Sequence, residues 1–223
     1  LVVNPNSGRN ILPDCCTPET FADVRAFHRT LPGYQPTPLV ALPDLAKEVG
    51  VKGVYIKDES KRFGLNAFKA LGASYAIHKL FPDGNVGLTV TATDGNHGKG
   101  MAWSTHRLGG HAVVFMPAGS VASRAIGDTE VTVTDLNYDG TVATAAAYAK
   151  EHGGHLVQDT AFAGYEEVPE NITLGYSTMA AEALEELAAL GVGEPTHTFL
   201  QAGVGSMAGG VAAYLAETCK NPP

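Results

Sequence analysis

Residues 66–72, Asn66-Ala67-Phe68-Lys69-Ala70-Leu71-Gly72, are the stretch from which the fold of this chain is best worked out. They stand between a predicted strand at residues 53–57 and a predicted helix over residues 68–80, so Lys69 enters a helix beside a sheet edge. Low-dielectric surroundings and a helix N-terminus both disfavour the charged form of an amine, and a neutral amine attacks carbonyl carbons. The alternative is a solvated helix lysine, since lysine is rarely buried.

The composition is that of a folded protein. The chain has 223 residues, 44% of them hydrophobic, which suits one large domain or two small ones. A net charge of −8 with scattered lysines and arginines argues against a nucleic-acid partner. Apolar runs are too short to span a bilayer and the first residues are no signal peptide, so we expect no membrane association and a cytoplasmic protein. Cys15, Cys16 and Cys219 fit neither a disulfide framework nor a metal site, and free thiols are predicted.

Predicted strands and helices alternate along most of the chain. Thr17 and Pro18 begin a helix that ends before Pro32, a proline-rich extended segment covers residues 33–43, and a short helix covers residues 43–49. Further strands are predicted over residues 86–92, 112–116, 130–134, 155–158 and 196–201, and further helices over residues 96–107, 120–126, 139–152 (with Asp139 as N-cap), 171–190 and 206–218. This alternation predicts an α/β fold with a mainly parallel sheet.

Polar and glycine-rich residues follow three of the predicted strands where each strand ends. Residues 93–98 follow the first of these strands, Asp159 and Thr160 follow another, and residues 201–210 follow the third. Because ligands bind at the carboxyl ends of parallel strands, we expect one site there. The glycines at 203 and 205 allow close backbone approach, and the helix that follows favours a phosphate group. Alternatively, these glycines serve only tight turns and helix packing.

The same loop also satisfies a dinucleotide-binding pattern, in Gly203-Val204-Gly205-Ser206-Met207-Ala208. That function needs a second strand with an acidic residue at its end about 20 residues further on. The sequence stops before such a strand, and Glu217 lies on a predicted helix. A phosphate monoester is therefore the preferred prediction.

Three separated blocks carry a family resemblance. Asp58-Glu59-Ser60 with the Lys69 segment, the turn Gly95-Asn96-His97-Gly98 and the 203–210 loop resemble the tryptophan synthase β-like (fold type II) pyridoxal phosphate enzymes, as does Thr37-Pro38-Leu39. Within that group, residues 63–69, 93–98 and 157–161 are similar to the diaminopropionate ammonia-lyases. The resemblance covers nearly the whole chain, and it implies open, mainly parallel sheets with helices on both faces.

The resemblance implies pyridoxal 5'-phosphate as cofactor and elimination of ammonia from 2,3-diaminopropionate, in its D or L form or both, to give pyruvate and ammonia. Lys69 would hold the cofactor as a Schiff base and Asn96 would contact its ring hydroxyl. Asp94 and Asp159 would face the substrate as acid and base, because a closed pocket raises the pKa of a carboxyl group. The phosphate would be held by amides of Gly203, Val204, Gly205, Ser206 and Met207.

Two other functions would share these blocks. One is a serine or threonine dehydratase of the same fold, and the other is a non-catalytic remnant that binds a phosphorylated ligand. The dehydratases usually have a small neutral residue where Asp94 stands, which favours the diamino substrate. Asp94 could instead serve the helix start at Asn96, Asp159 could be a turn carboxylate, and His97 could be a packed histidine.

The resemblance also predicts how the chain is organised. Residues 1–80 and 155–223 would form a large cofactor-binding domain, and residues 81–154 a smaller α/β domain. The family's further sheet strands and much of its dimer interface follow the matched part, so the sequence is expected to lack a C-terminal part, and residues 117–130 are short for a crossover. The expected partners are a small amino-acid substrate and a second copy in a homodimer.

Overall fold

The computed structural model describes residues 12–93, 95–120 and 129–223. Within them the elements are α1 (Pro18–Thr30), β1 (Leu39–Ala41), α2 (Pro43–Val49), β2 (Tyr55–Lys57), 3-10 turns (Glu59–Gly64), α3 (Lys69–Leu80), β3 (Leu88–Ala92), α4 (Asn96–Arg107), β4 (His111–Met116), β5 (Glu130–Val133), α5 (Tyr138–Glu151), β6 (His155–Leu156), α6 (Glu167–Gly175), α7 (Ser177–Ala189) and α8 (Ser206–Thr218). The predicted helix over residues 120–126 falls almost entirely outside the described residues.

The main sheet is parallel, as predicted. It has four strands in the order β5-β4-β3-β6, and each neighbouring pair runs in parallel. Alternate residues of β4 enter different cores: Val114 packs with Met101 of α4, whereas Val113 packs with Ala145 of α5. Because helices cover both faces, the strand is buried on both sides, which is typical of a parallel α/β sheet. β1 and β2 form a separate antiparallel pair.

Helix α3, which begins at Lys69, lies at the centre of the helical packing. Its residues 70–77 are buried, and it packs against α4 and α6. Gly72 makes the approach of α6 possible, because a Cβ at this position would lie 2.7 Å from the carbonyl oxygen of Ile172. The start of α3 is thereby held between two neighbouring helices.

Local signals predicted several element bounds correctly. α2, α4 and α8 have the predicted limits, and Thr17 caps α1 by accepting a hydrogen bond from the amide of Thr20. The predicted N-cap of α5 was wrong: the side chain of Asn137, not Asp139, accepts from the amide of Gly140 at 3.0 Å. The extended backbone of Asn137 puts its side chain within reach of that amide, and Asp139 lies inside the first turn.

The single helix predicted over residues 171–190 is two helices, and it starts earlier than predicted. α6 begins at Glu167, because Pro169 fits in a first turn where its missing N–H is not needed. At Tyr176 the amide bonds to the carbonyl of Thr173, three residues back, and the chain then turns into α7. The Tyr176 ring is buried against Phe68 at 5.2 Å, so the break seats a large aromatic beside α3.

The predicted strand over residues 196–201 does not form among the described residues. The segment has no strand assignment, and Phe199 within it is 92% exposed. A strand is held by hydrogen bonds to a neighbouring strand, and none of the described strands lies beside this segment. Over residues 12–93, 95–120 and 129–223 as a whole, no helix is long and apolar enough to cross a membrane. The same residues contain no group of three or more metal-ligating side chains.

Candidate active site

A cavity of about 410 Å³ lies where β3 and β6 end. Its lining contains every predicted site residue that the structure describes: Lys69, Asn96, Asp159, Gly203, Val204, Gly205, Ser206 and Met207. Asp94, the remaining predicted site residue, lies outside the described residues. The expectation of one site on one rim of the sheet is met, because residues after β3 and β6 meet the loop before α8 there.

Lys69 and Asp159 form an ion pair in this cavity. The Lys69 Nζ lies 2.7 Å from Asp159 Oδ2, and the two side chains are 20% and 8% exposed. Lys69 is the first residue of α3, and its ammonium also lies 5.6 Å from the centre of the Phe68 ring and 5.8 Å from that of Tyr176. An amine and a carboxylate in direct contact, walled by aromatic rings, can exchange a proton with little access for water.

The Asp159 carboxyl does not have the raised pKa that the sequence predicts. Burial alone would raise its pKa. The positive charge of His97 in its protonated form, the charge of Lys69 and the hydrogen bond from Lys69 outweigh burial and hold the pKa below its ordinary value. That expectation was wrong because it considered burial without the charges that the fold brings to the same carboxylate. Asp159 is therefore ionised at neutral pH, and it can accept a proton.

His97 is packed beneath this pair. Its Nε2 donates to the carbonyl oxygen of Val157 at 2.8 Å, and its Nδ1 lies 3.6 Å from Asp159 Oδ2. Burial lowers the pKa of His97, so the ring is neutral with its proton on Nε2. Nδ1 is then a buried acceptor that has no hydrogen-bond partner among the residues described. The packed interpretation of His97 fits this geometry, although its ring also borders the cavity.

The glycine loop supplies the anion-binding side of the cavity. Gly205 has a φ of +96°, which favours glycine, and it directly precedes the first turn of the 13-residue α8. A Cβ built on Gly203 or Gly205 would meet no described protein atom within 4 Å, so the space beside the loop is open. Ser206 Oγ donates to the carbonyl oxygen of Asp159 at 3.0 Å and ties the loop to the ion pair.

Together these groups fit pyridoxal phosphate. Amides at a helix N-terminus bind phosphate, and a lysine amine reacts with an aldehyde. The open space beside the glycines and the lysine lie in one cavity, so a single molecule that carries both groups can reach both.

Some lining residues were not among the predicted site residues. Phe68, Thr93, Tyr138 and Gln201 also border the cavity. The position of Tyr138 in the sequence could have predicted its place at the cavity. It starts the helix after β5 and so lies on the same rim as residues after β3 and β6. Thr93 accepts a hydrogen bond from the amide of Gly95 and shapes the turn before α4.

Comparisons with known proteins agree with this site. The sequence model of the family described as "Pyridoxal-phosphate dependent enzyme" matches residues 30–223. Diaminopropionate ammonia-lyase of Escherichia coli K12 is 47% identical over 215 residues, which cover 86% of this chain and 54% of that protein. The Salmonella typhimurium enzyme of the same name is 47% identical over 221 residues, covering 87% and 55%. The chain spans about half the length of the curated relatives it matches.

A solved structure is similar as well. The Escherichia coli diaminopropionate ammonia-lyase in complex with an aminoacrylate-PLP azomethine reaction intermediate has a TM-score of 0.85 and 46% sequence identity. The match covers 92% of this chain and 57% of the other. Both the sequence and the arrangement of the elements are therefore shared with a protein that holds this cofactor.

Proposed function

We propose that this chain, which belongs to the pyridoxal-phosphate dependent enzyme family, eliminates ammonia from 2,3-diaminopropionate to give pyruvate and ammonia. The observation that carries the proposal is the contact of Lys69 Nζ with Asp159 Oδ2 at 2.7 Å, in the cavity that the glycine loop borders. A protein that only bound a phosphorylated ligand would have no need of this buried ion pair. The identity to diaminopropionate ammonia-lyases supports the choice of substrate.

Named residues would hold the cofactor. Lys69 would bind its aldehyde carbon, the amides of residues 203–207 its phosphate, and Asn96 its ring hydroxyl. When bound, pyridoxal phosphate supplies an electron sink that stabilises negative charge at Cα of an amino acid. The aromatic rings of Phe68 and Tyr176 beside Lys69 would keep water away from the reacting amine.

The chain's own carboxylates would move the protons. Loss of ammonia requires removal of the proton on Cα and protonation of a poor amine leaving group. Asp159 is ionised at neutral pH, so we assign it to accept a proton, which it can exchange with Lys69 across the 2.7 Å contact. We assign the second carboxyl role to Asp94. A base on each face of Cα would allow both D and L isomers to react.

The test begins with cofactor attachment. Purified protein is incubated with pyridoxal phosphate, its visible spectrum is recorded, and borohydride reduction is followed by peptide mapping. We expect the cofactor on Lys69, and no attachment in Lys69→Ala. Lys79→Ala is the matched control, because Lys79 lies on the same helix but is 44% exposed and far along it. Attachment to another lysine would refute the assignment.

Turnover then tests the substrate. Ammonia and pyruvate are measured with D- and L-2,3-diaminopropionate, L-serine and L-threonine. We expect the diamino acid to give the highest kcat/KM. A preference for serine or threonine would favour the dehydratase alternative, and cofactor attachment without turnover of any of the four would favour a binding protein.

We also propose the organisation that the sequence predicts. Residues 1–80 and 155–223 would form the large domain and residues 81–154 the small one, supported by the separate core that β3, β4 and α5 share. β6, which pairs with β3, would lie where the domains meet. Exposed apolar side chains such as Phe199 and Ile56 support a homodimer, which light scattering would detect. The free Cys15, Cys16 and Cys219 support a cytoplasmic location, which fractionation of the source cells would test.

A further inference from the structure

The backbone just before Asp159 lies at an edge of the main sheet. β6 ends at Leu156, and among the described strands it pairs only with β3. The amide of Val157 still donates to the carbonyl oxygen of Val90 in β3, at 2.8 Å. Successive residues of an extended chain direct their backbone groups to opposite sides. The carbonyl of Leu156 and the amide of Gln158 therefore point away from β3, to a side where none of the described strands lies.

The Tyr165 hydroxyl bonds both of these outward groups. Its oxygen accepts from the amide of Gln158 at 2.8 Å, and it donates its proton to the carbonyl oxygen of Leu156, also at 2.8 Å. An amide can only donate and a carbonyl can only accept, so the direction of both bonds is fixed. One hydroxyl thus makes the two contacts that a residue of a neighbouring strand would make.

A tight turn brings Tyr165 back to this edge. The amide of Tyr165 donates to the carbonyl oxygen of Phe162 at 2.8 Å, and the two rings stack with their centres 4.7 Å apart. Gly164 has a φ of +81°, which favours glycine, so the sequence of residues 162–165 itself favours the turn. Burial raises the pKa of Tyr165, and the hydroxyl therefore keeps its proton at neutral pH.

Other side chains bond the same stretch of backbone from different directions. His97 Nε2 donates to the carbonyl oxygen of Val157 at 2.8 Å, and Ser206 Oγ donates to that of Asp159 at 3.0 Å. Tyr165 supplies the bonds on the side away from β3. This backbone carries the Asp159 carboxylate to within 2.7 Å of Lys69 Nζ, so a shift of the backbone would lengthen that contact.

We propose that Tyr165 is a positioning residue, which holds Asp159 against Lys69 by bonding the backbone edge at Leu156 and Gln158. The inference deepens the proposed function and rests on it, because Asp159 is there the group that accepts a proton. The Tyr165 side chain is not part of the lining that the described residues give the cavity. Its effect on turnover therefore passes through the position of the Asp159 carboxylate.

Tyr165→Phe removes only the hydroxyl. We expect kcat for 2,3-diaminopropionate to fall about tenfold, because a small displacement of a reacting group slows catalysis strongly, and KM to stay within about twofold. Tyr75→Phe is the matched control: its hydroxyl also makes a 2.8 Å hydrogen bond, to Asp23, and neither residue borders the cavity. Its kcat should stay within about twofold of wild type, and an equally small change in Tyr165→Phe would overturn the proposal.

A double-mutant cycle shows whether Tyr165 acts through Asp159. In the Asp159→Asn background, Tyr165→Phe should change kcat by less than about twofold, because the proton acceptor that Tyr165 positions is already absent. The free energy of unfolding in urea should fall by similar amounts in both backgrounds, so a general weakening of the fold would lower kcat in both. An equal fall of kcat in both backgrounds would therefore overturn the proposal.

Replacement of Tyr165 by p-aminophenylalanine is the conservative variant. The amino group still donates to the Leu156 carbonyl but accepts poorly from the Gln158 amide. Its kcat should lie between those of wild type and Tyr165→Phe, and a value no higher than that of Tyr165→Phe would contradict the role of these hydrogen bonds. If Tyr165→Phe does not fold, this variant takes its place in the cycle with Asp159→Asn, and the same outcome decides.

A titration of the protein without cofactor tests the position of Asp159 independently of turnover. Aspartate carboxyl carbons are labelled with ¹³C, and the Asp159 signal is assigned by its loss in Asp159→Asn. Burial raises the pKa of this carboxyl, whereas protonated His97 and Lys69 lower it. Loosening the contact with Lys69 should raise that pKa in Tyr165→Phe and leave it unchanged in Tyr75→Phe. An unchanged pKa in Tyr165→Phe would overturn the proposal.

The two proposals fail in different ways. If wild type released no ammonia from 2,3-diaminopropionate, the proposed function would be refuted. The titration of Asp159 would still decide the role of Tyr165, because it needs neither substrate nor cofactor.

Discussion

Gly100 of α4 packs directly on the main chain at Lys69. A Cβ built on Gly100 would lie 2.7 Å from the Lys69 carbonyl carbon and 2.7 Å from the Ala70 amide nitrogen. Both atoms belong to the backbone of α3 at its first turn, so neither can move without moving Lys69. The position of the reactive amine therefore depends on the absence of a side chain on the neighbouring helix.

We predict that Gly100→Ala lowers both stability and activity. The added methyl group should lower the free energy of unfolding by about 1–3 kcal/mol, because a packed backbone must shift. Displacement of Lys69 should also lower kcat, since small misplacements slow catalysis strongly. Gly209→Ala is the stability control: its Cβ would meet only Thr173 Cγ2, at 3.7 Å, and alanine favours helices. Equal stabilities of the two variants in urea would contradict the prediction.

Removal of the Asp159 charge should abolish most of the turnover. Asp159→Asn keeps the shape but cannot accept a proton from Cα or from Lys69, so we expect kcat to fall about 10²- to 10⁴-fold. Borohydride attachment of the cofactor to Lys69 should persist, because the amine itself is unchanged. Asp44→Asn, an exposed change in α2, controls for the loss of one negative charge. A kcat within about threefold of wild type would exclude Asp159 as the base.

His28 should make stability depend on pH. Its Nε2 donates to the Leu71 carbonyl at 2.9 Å, its Nδ1 accepts from the Thr178 hydroxyl at 2.7 Å, and burial lowers its pKa from 6.5 to about 3. The folded state thus binds this proton more weakly than the unfolded state. The contribution of neutral His28 to the free energy of unfolding is fully present above pH 6.5. It is lost as the pH falls from 6.5 toward 3, by up to about 1.4 kcal/mol per pH unit.

Urea unfolding at several pH values measures this effect. His28→Gln should be less stable than wild type at pH 7, because the two buried hydrogen bonds are strained or lost. Its stability should fall less steeply than that of wild type below pH 6.5. Exposed His197, changed to Gln, serves as control and should leave the wild-type slope. If the free energy of unfolding fell equally steeply with pH in wild type and in His28→Gln, His28 would not be the group that causes the pH dependence.

The buried pair of Arg62 and Glu182 should behave as a unit. Arg62 Nη2 and Nη1 donate to the two Glu182 oxygens at 2.7 and 2.9 Å, and both side chains are inaccessible to water. Lys57 and Arg25 also contact Glu182, so Glu182→Met would leave three cations around an apolar side chain. We expect a loss of about 3–5 kcal/mol in the free energy of unfolding.

The double variant Arg62→Met/Glu182→Met provides the check on that pair. Its loss in the free energy of unfolding should be smaller than the sum of the losses in the two single variants, because neither Arg62 nor Glu182 is left as an unpaired buried charge. Chemical denaturation of the four proteins gives the coupling energy. Simple additivity would mean that Arg62 and Glu182 are held by independent contacts.

The sequence alone determined the local features of the fold. The bounds of α2, α4 and α8 follow from caps, prolines and glycines within a few residues of each end, so neighbours in the chain suffice to predict them. The meeting of Asn96 and Asp159 at one rim also follows from the alternation of strands and helices, because the parallel strands β3 and β6 end on one side. The parallel direction of β3, β4 and β5 is part of the same prediction, whereas their order in the sheet is not.

Only the tertiary structure decided the features that depend on distant residues. The turn at Tyr176 exists because an aromatic ring packs beside α3, and residues 196–201 form no strand because none of the described strands pairs with them. The lowered pKa of Asp159 arises from Lys69 and His97, which lie far away in sequence. The buried side chain of Gln158 accepts a hydrogen bond from the amide of Ala92 and donates one to Tyr138, and both partners lie far from it in sequence. Packing, charge interactions and hydrogen bonds act over a few ångströms, and the complete fold is what brings these groups within that range.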